Sequence, residues 1–146
     1  MPTPEEAKNV IRRLFGEVLT DNHVELIDEM YAEDYEFDAP ALASGSGPVK
    51  TGREAFKARV AAFRTAFPDA HYTVQDIVSD GRIVCTRMEF GGTHAAPFAG
   101  FAPTGRDSKV TGIHYALLNE QGKIKKTWAG FTNIAEALAP NPPAES

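Results

Sequence analysis

At Pro68 the chain changes its main hydrophobic period from about 3.6 to about 2, and that change limits its fold more than any other feature. Before it, apolar residues recur at helical spacing. Ala7, Val10, Ile11, Leu14, Phe15 and Val18 form one run, and Phe56, Val60, Phe63 and Phe67 form another. After it, apolar and polar residues alternate as far as Thr132, the pattern of half-buried strands. Helices gathered at one end of a chain and strands at the other predict an α+β domain.

Local signals set the boundaries. Thr3 with Glu6 makes a capping box, and Pro4 suits a first helical position, so a helix is expected from residue 4 to about 20. Asp21 or Asn22 is expected to cap a second, short helix that ends near Tyr31 and Ala32. Tyr35–Ala39 reads as a short strand closed by Pro40, and residues 41–51 as a loop. A third helix runs from Gly52 to Phe67 and stops at Pro68. Strands are expected at 71–79, 82–93, 108–119 and 123–132. Turns fall at Asp80-Gly81 and Glu120–Gly122, and a long loop spans 95–107. Asn133 is expected to cap a last turn through Leu138. The whole reads as one domain over 1–139. It has three N-terminal helices and a curved antiparallel sheet shaped as a cone around an apolar pocket. The tail 140–146 is too polar and Pro-rich to pack.

Composition removes several functions. The 146 residues suffice for a core without staples, since folding at this size buries roughly 70% of the chain's surface. The net charge is −5 and the basic residues are scattered, so no face exists to displace counterions from nucleic acid. No stretch approaches the roughly 18 apolar residues of a membrane span, and the N-terminus lacks the pattern of a signal peptide. Cys85 is the lone cysteine and forms no intrachain disulfide, which fits a reducing, cytoplasmic setting. On its strand it reads as a buried small hydrophobe. No Gly-rich phosphate loop, nucleophile elbow or zinc-like spacing occurs, so no metal and no cofactor is expected.

Strand alternation selects the candidate site. On 108–118 one face carries Val110, Gly112, His114, Ala116 and Leu118, and the other Lys109, Thr111, Ile113, Tyr115 and Leu117. Both are substantially apolar, so one is expected to face the pocket and the outer one a second copy of the chain, giving a homodimer. On 123–131, Ile124 and Trp128 are expected on one face, and Lys125, Thr127, Ala129 and Phe131 on the other. His114 is the first candidate acid/base group, because small shifts carry imidazole across neutral pH. Its ordinary alternative is a core histidine held by a backbone or hydroxyl partner. Asp38, after two aromatics, is a candidate base with a raised pKa, or else a loop-capping residue before Pro40. His94 opens the long loop and stands at the pocket mouth, or is a solvated loop histidine. Phe98 and Phe101 read as a lid or as loop pins. Tyr35, Phe63, Phe67, Met88 and Trp128 read as substrate-binding walls or as plain core.

These stretches also carry a resemblance. Residues 31–40, Gly52–Phe56, Ala66–Asp69, Gly91–Gly105, Thr111–His114 and Gly122–Trp128 resemble the SnoaL-like polyketide cyclases and ester-cyclase-like proteins. That family lies within the nuclear-transport-factor-2-like cone fold. The resemblance covers about 5–138. It implies a cofactor-independent acid/base enzyme, a cyclase or isomerase, or a lyase such as a dehydratase. Its substrate would be small and hydrophobic, a polyketide-like or aromatic carbonyl compound. The cyclases place an acidic residue where this chain has His114. Ketosteroid isomerases, which are also similar, have a base that matches Asp38 loosely and an oxyanion-stabilising acid at the position of His114. Thr132 and Asn133 stand where many family members carry an Asp after the Trp. The epoxide-hydrolase pattern is broken at His114.

Two functions follow. In the first, Asp38 removes an acidic C–H proton, His114 supports the developing enolate oxygen, and His94 assists. In the second, the same cavity holds an apolar small molecule without chemistry.

Overall fold

The computed structural model describes residues 1–38, 50–98 and 100–138; the side chains of Asp38, Lys50, Thr51 and Ile134 lie outside that description. Helix α1 (Pro4–Arg13) begins with the expected capping box: Thr3 Oγ1 accepts from Glu6 N at 3.1 Å, and Thr3 N donates to Glu6 Oε1 at 3.0 Å. The helix then widens to a π-helical run over Leu14–Thr20, where a plain α-helix was expected. Thr20 fixes this geometry. Its hydroxyl donates to Phe15 O at 2.7 Å, five residues back, and accepts from Tyr72 N at 2.9 Å.

The second helix starts later than its cap residues suggested. Asn22 takes a left-handed conformation (φ 62°), which asparagine tolerates. His23 occupies the cap position without a side-chain bond to the helix backbone, and a 3₁₀ turn (Val24–Leu26) leads into α2 (Ile27–Met30). Strand β1 (Tyr31–Asp38) begins four residues before the expected start, and β2 (Lys50–Thr51) pairs with it. Most of the expected loop 41–51, and Ala39 and Pro40 before it, lies outside the described residues. Helix α3 (Arg53–Ala66) follows, then β3 (His71–Ser79), β4 (Ile83–Thr93), β5 (Asp107–Leu118), β6 (Ile124–Phe131) and α4 (Ile134–Leu138). At the β3–β4 turn, Asp80 Oδ1 accepts from the amides of Arg82 and Ile83, and Gly81 turns the chain at φ 97°. Asn133 stands directly before α4, where its carbonyl accepts from Ala137 N at 2.9 Å, and its side chain ties the helix start to β5: its Oδ1 accepts from Thr111 N and its Nδ2 donates to Lys109 O. The expected tail 140–146 is outside the described residues.

The strands form one curved sheet in the order β2-β1-β6-β5-β4-β3. The meander β3–β6 is antiparallel as expected, but β1 joins β6 in parallel, so the sheet is mixed. The helices cover one face, burying Ile11, Leu14, Phe15 and Val18 against Val84, Met88, Ala116 and Ile124. A second cluster joins Phe67, Phe90, Val110 and Leu138. No helix among the described residues is long and apolar enough to cross a membrane.

Two expectations about faces are corrected. The register slips between Leu117 and Leu118, so Ile124 and Trp128 do not share a face. Thr127 is buried inward, whereas Trp128 lies on the outer face against Tyr115 (ring centroids 4.9 Å apart) with Lys126 Nζ 4.8 Å from its ring. Cys85 is half-buried on that outer face, because it pairs with Tyr115 and Val78 and alternates with the buried Val84 and Thr86.

Candidate functional site

Strand β5 alternates through its length, and its inward row is the expected one: Val110, Gly112, His114, Ala116 and Leu118 are buried. His114 sits at mid-strand between Thr86 of β4 and Ala129 of β6. Phe15, presented by the π-helical run, packs its ring against the imidazole at 5.2 Å and 79°. His114 Nδ1 is buried without a hydrogen-bond partner, and so is Thr86 Oγ1. A structural histidine would have its nitrogens satisfied, since an unmade buried bond costs about 1–3 kcal/mol. Burial alone pushes the His114 imidazole down to a pKa of about 4. At neutral pH the ring is uncharged, with one N–H to give and one lone pair to receive.

A tyrosine group lies beside it on the same face. Tyr72 packs on Phe15 with centroids 5.5 Å apart. Tyr35 OH meets Thr127 Oγ1 at 2.5 Å, two residues along β6 from the neighbour of His114. Tyr31 packs on Tyr35 at 4.6 Å, and its hydroxyl is buried without a partner. Burial raises the pKa of all three phenols, which keeps them neutral hydrogen-bonding groups. Arg59, on α3, reaches over Phe37 with its guanidinium carbon 5.3 Å from the ring centroid. Burial lowers its pKa, while the Tyr35 and Tyr72 phenols act in the opposite sense.

The aromatic candidates gather next to this. Phe63 packs on Phe67 at 5.2 Å and on Phe90 at 4.8 Å. Phe98 stands edge-on to both Phe63 and Phe67, at 5.5 and 5.3 Å. Phe98 and Phe101 exchange backbone bonds of 3.0 and 2.8 Å, so they form a tight bridge that lays Phe98 over the cluster. Met88 is buried on the inner face of β4. His94 is not a solvated loop residue: it is 0% exposed and stacks on Phe67 at 5.3 Å. Neither ring nitrogen makes a well-formed hydrogen bond, and burial lowers its pKa against the opposing pull of the Ala96 backbone.

Of the expected site residues, the structure brings His114, Tyr35, Phe63, Phe67, Met88 and Phe98 onto the inner side of the sheet. Trp128 it places on the outer side. Asp38 ends β1 with its backbone in register with Trp128, and its side chain is outside the described residues. Arg59, Tyr31, Tyr72 and Thr86 were missed. Arg59 had a signal: it stands one turn from Phe56 and one turn from Phe63, inside the apolar stripe of its helix. No group of three or more His, Cys, Asp or Glu among the described residues is placed to hold a metal ion.

Known proteins now give this geometry a context. The family model for SnoaL-like polyketide cyclases matches residues 9–136. A structure from Jannaschia sp. CCS1, named for a SnoaL-like polyketide cyclase, aligns with a TM-score of 0.82 at 20% identity and covers 97% of each chain. IdmH from Streptomyces antibioticus, named for a polyketide cyclase, aligns at 0.75 and 29% identity, over 90% of this chain and 94% of its own. A structure from Kribbella flavida, named for a ketosteroid isomerase, aligns at 0.66 and 18% identity, over 97% and 85%. The first and third likenesses show the fold alone. No curated protein matches the chain.

Proposed function

Because the chain belongs to the SnoaL-like polyketide cyclase family, we propose that it is an acid/base enzyme of the cyclase or isomerase kind, with His114 as its proton-moving group. Its substrate in this reading is a hydrophobic, polyketide-like or aromatic carbonyl compound, held on the inner side of the sheet without a cofactor. The observation that carries the reading is the unpartnered, buried Nδ1 of His114, at a mid-strand position walled by Phe15 and Thr86.

A desolvated neutral imidazole performs this chemistry in two steps. It takes a proton from carbon α to a carbonyl: the C–H bond breaks, an N–H bond forms, and the electron pair moves onto the carbonyl oxygen as an enolate. Burial disfavours the imidazolium, so the proton is returned quickly. Returned to a different carbon, it completes an isomerisation. If the enolate carbon first attacks a second carbonyl, a C–C bond forms and the proton goes to the resulting alkoxide, closing a ring. Tyr35, Tyr72 and Thr86 supply neutral hydrogen bonds nearby, and the phenylalanines supply flat apolar walls. In this reading His94 backs the wall under Phe67, Phe101 pins Phe98, and Asp38 is a second proton acceptor to be tested by substitution. A second copy of the chain would cover the outer sheet face, where Val78 and Ile113 are 64% and 41% exposed.

The test is deuterium exchange at the methylene carbon of 1-phenyl-1,3-butanedione, followed by NMR. Exchange above the buffer rate that falls at least 100-fold in His114→Gln, with binding retained by fluorescence quenching, supports the proposal. Binding without any accelerated exchange means a carrier of apolar molecules and rejects it.

A further inference from the structure

Helix α3 carries four cations, and three of them are paired. Lys57 meets Asp28 at 2.8 Å and Glu54 at 3.0 Å. Arg53 donates to Asp28 O and lies near Glu33. Arg64 donates to the carbonyls of Leu19, Thr20, Pro68 and Ala70. Arg59 is the exception: among the described residues no carboxylate, carbonyl or hydroxyl accepts from its guanidinium.

Yet Arg59 lies over a buried aromatic ring. Its side chain is half-buried. The guanidinium carbon stands 5.3 Å from the centroid of Phe37, a ring only 5% exposed, beside the buried Tyr35. A charge taken from water without a counter-charge is costly, and one aromatic face returns only part of that cost. The guanidinium keeps five N–H donors in a planar fork, and that fork fits two coplanar oxygens sharing one negative charge. A chain of neighbours links it to His114: the Tyr35 and Tyr72 phenols act on Arg59, and Phe15 packs on both Tyr72 and His114.

We infer that Arg59 is the anion anchor of this site, and that the ligand it takes is an aromatic body bearing a planar pair of anionic oxygens. Two groups have that shape, a carboxylate and the enolate of a 1,3-dicarbonyl. Phe37, Phe56, Phe63 and Tyr72 provide the apolar bed for the aromatic part, and Arg59 selects the charged end. The inference rests on the proposed function only in the enolate case; a carboxylate anchor stands without catalysis.

Two arms separate the sources. The first compares 2-naphthoate with neutral 2-naphthamide by titration calorimetry in the wild type, Arg59→Gln, Arg59→Lys and His114→Gln. The expected result is a preference for naphthoate of about tenfold or more in the wild type and in His114→Gln. That preference is lost in Arg59→Gln and partly kept in Arg59→Lys. Because the readout is a ratio between two isosteres, a general loosening of the fold does not move it. The second arm measures exchange of 1-phenyl-1,3-butanedione at saturation in Arg59→Gln. A loss of about tenfold or more there, even without a naphthoate preference, assigns the anchor to the enolate. Absence of any preference for naphthoate, whether both probes bind equally or neither binds, together with no such loss of exchange in Arg59→Gln, overturns the inference. Loss of exchange in His114→Gln with the naphthoate preference intact leaves both assignments standing. Unaltered exchange in His114→Gln removes only the catalytic one.

Discussion

Phe15 holds its ring edge toward the imidazole of His114, with centroids 5.2 Å apart and planes at 79°, and so the first helix seals the middle of the sheet. This cover has a measurable consequence. The folded His114 titrates near 4 because of burial, against an ordinary value of 6.5. Between those values the unfolded chain binds more protons than the folded one, so stability rises with pH in that window. It is complete above about 6.5 and is lost as pH falls toward 4. The loss is roughly 3 kcal/mol if the group is isolated. Burial lowers His94 as well and adds in the same direction. Unfolding by urea at several pH values is expected to show this slope in the wild type and a shallower one in His114→Leu. An unchanged slope in the variant contradicts the assignment. In Phe15→Leu, water gains access and the imidazole pKa, followed by NMR, is expected to rise toward 6.5.

The bond between Tyr35 OH and Thr127 Oγ1, 2.5 Å long, joins β1 to β6 inside the core. Tyr35→Phe leaves the Thr127 hydroxyl buried alone, at an expected cost of about 1–2 kcal/mol. Thr127→Val in the same chain removes the orphan and is expected to recover part of that loss. A double-mutant cycle by denaturant unfolding checks the coupling; strictly additive losses mean the bond contributes nothing.

Gly112 makes room for the wall beside His114. A Cβ there would come within 2.7 Å of Gly130 O, 2.9 Å of Phe131 Cδ1 and 3.0 Å of Met88 Cε. The backbone oxygen cannot yield cheaply, so Gly112→Ala is expected to cost about 1–3 kcal/mol through overpacking. A melting temperature equal to wild type would show that the strands part freely at this point.

How much of this was legible in the sequence depends on the range of each signal. The inward row of β5, with His114 in it, follows from counting by two along an unbroken strand, and counting needs no partner. Trp128 failed the same count because its own strand is broken: Leu117 and Leu118 are neighbours on β5, but their partners Lys126 and Ile124 are two residues apart on β6, so counting by two across Lys125 changes face. The capping box at Thr3 was readable because its bonds span three residues, while the π-helical run depends on Tyr72, 52 residues away from Thr20. Arg59 stood openly in an apolar stripe. Its meaning comes from the acids that fail to reach it, and only the packed chain shows which acids those are.

Arg64 binds four carbonyls at one junction. Its Nη2 donates to Leu19 O at 2.6 Å and Thr20 O at 2.9 Å; its Nη1 donates to Pro68 O and Ala70 O at 3.2 and 3.3 Å. It thereby ties the end of α3 and the start of β3 to the close of the π-helical run that aims Phe15. Lysine brings one rotatable ammonium to a place that uses a planar fork, so it cannot bridge both pairs. Arg64→Lys and Arg64→Met are both expected to lose about 2–4 kcal/mol, with lysine recovering little. Because the run that presents Phe15 loosens, the His114 pKa is expected to rise in both variants toward the value in Phe15→Leu. Measuring that pKa by NMR separates a local tether from a general one. Lower stability with an imidazole still titrating near 4 would mean that Phe15 is held in place by the core alone.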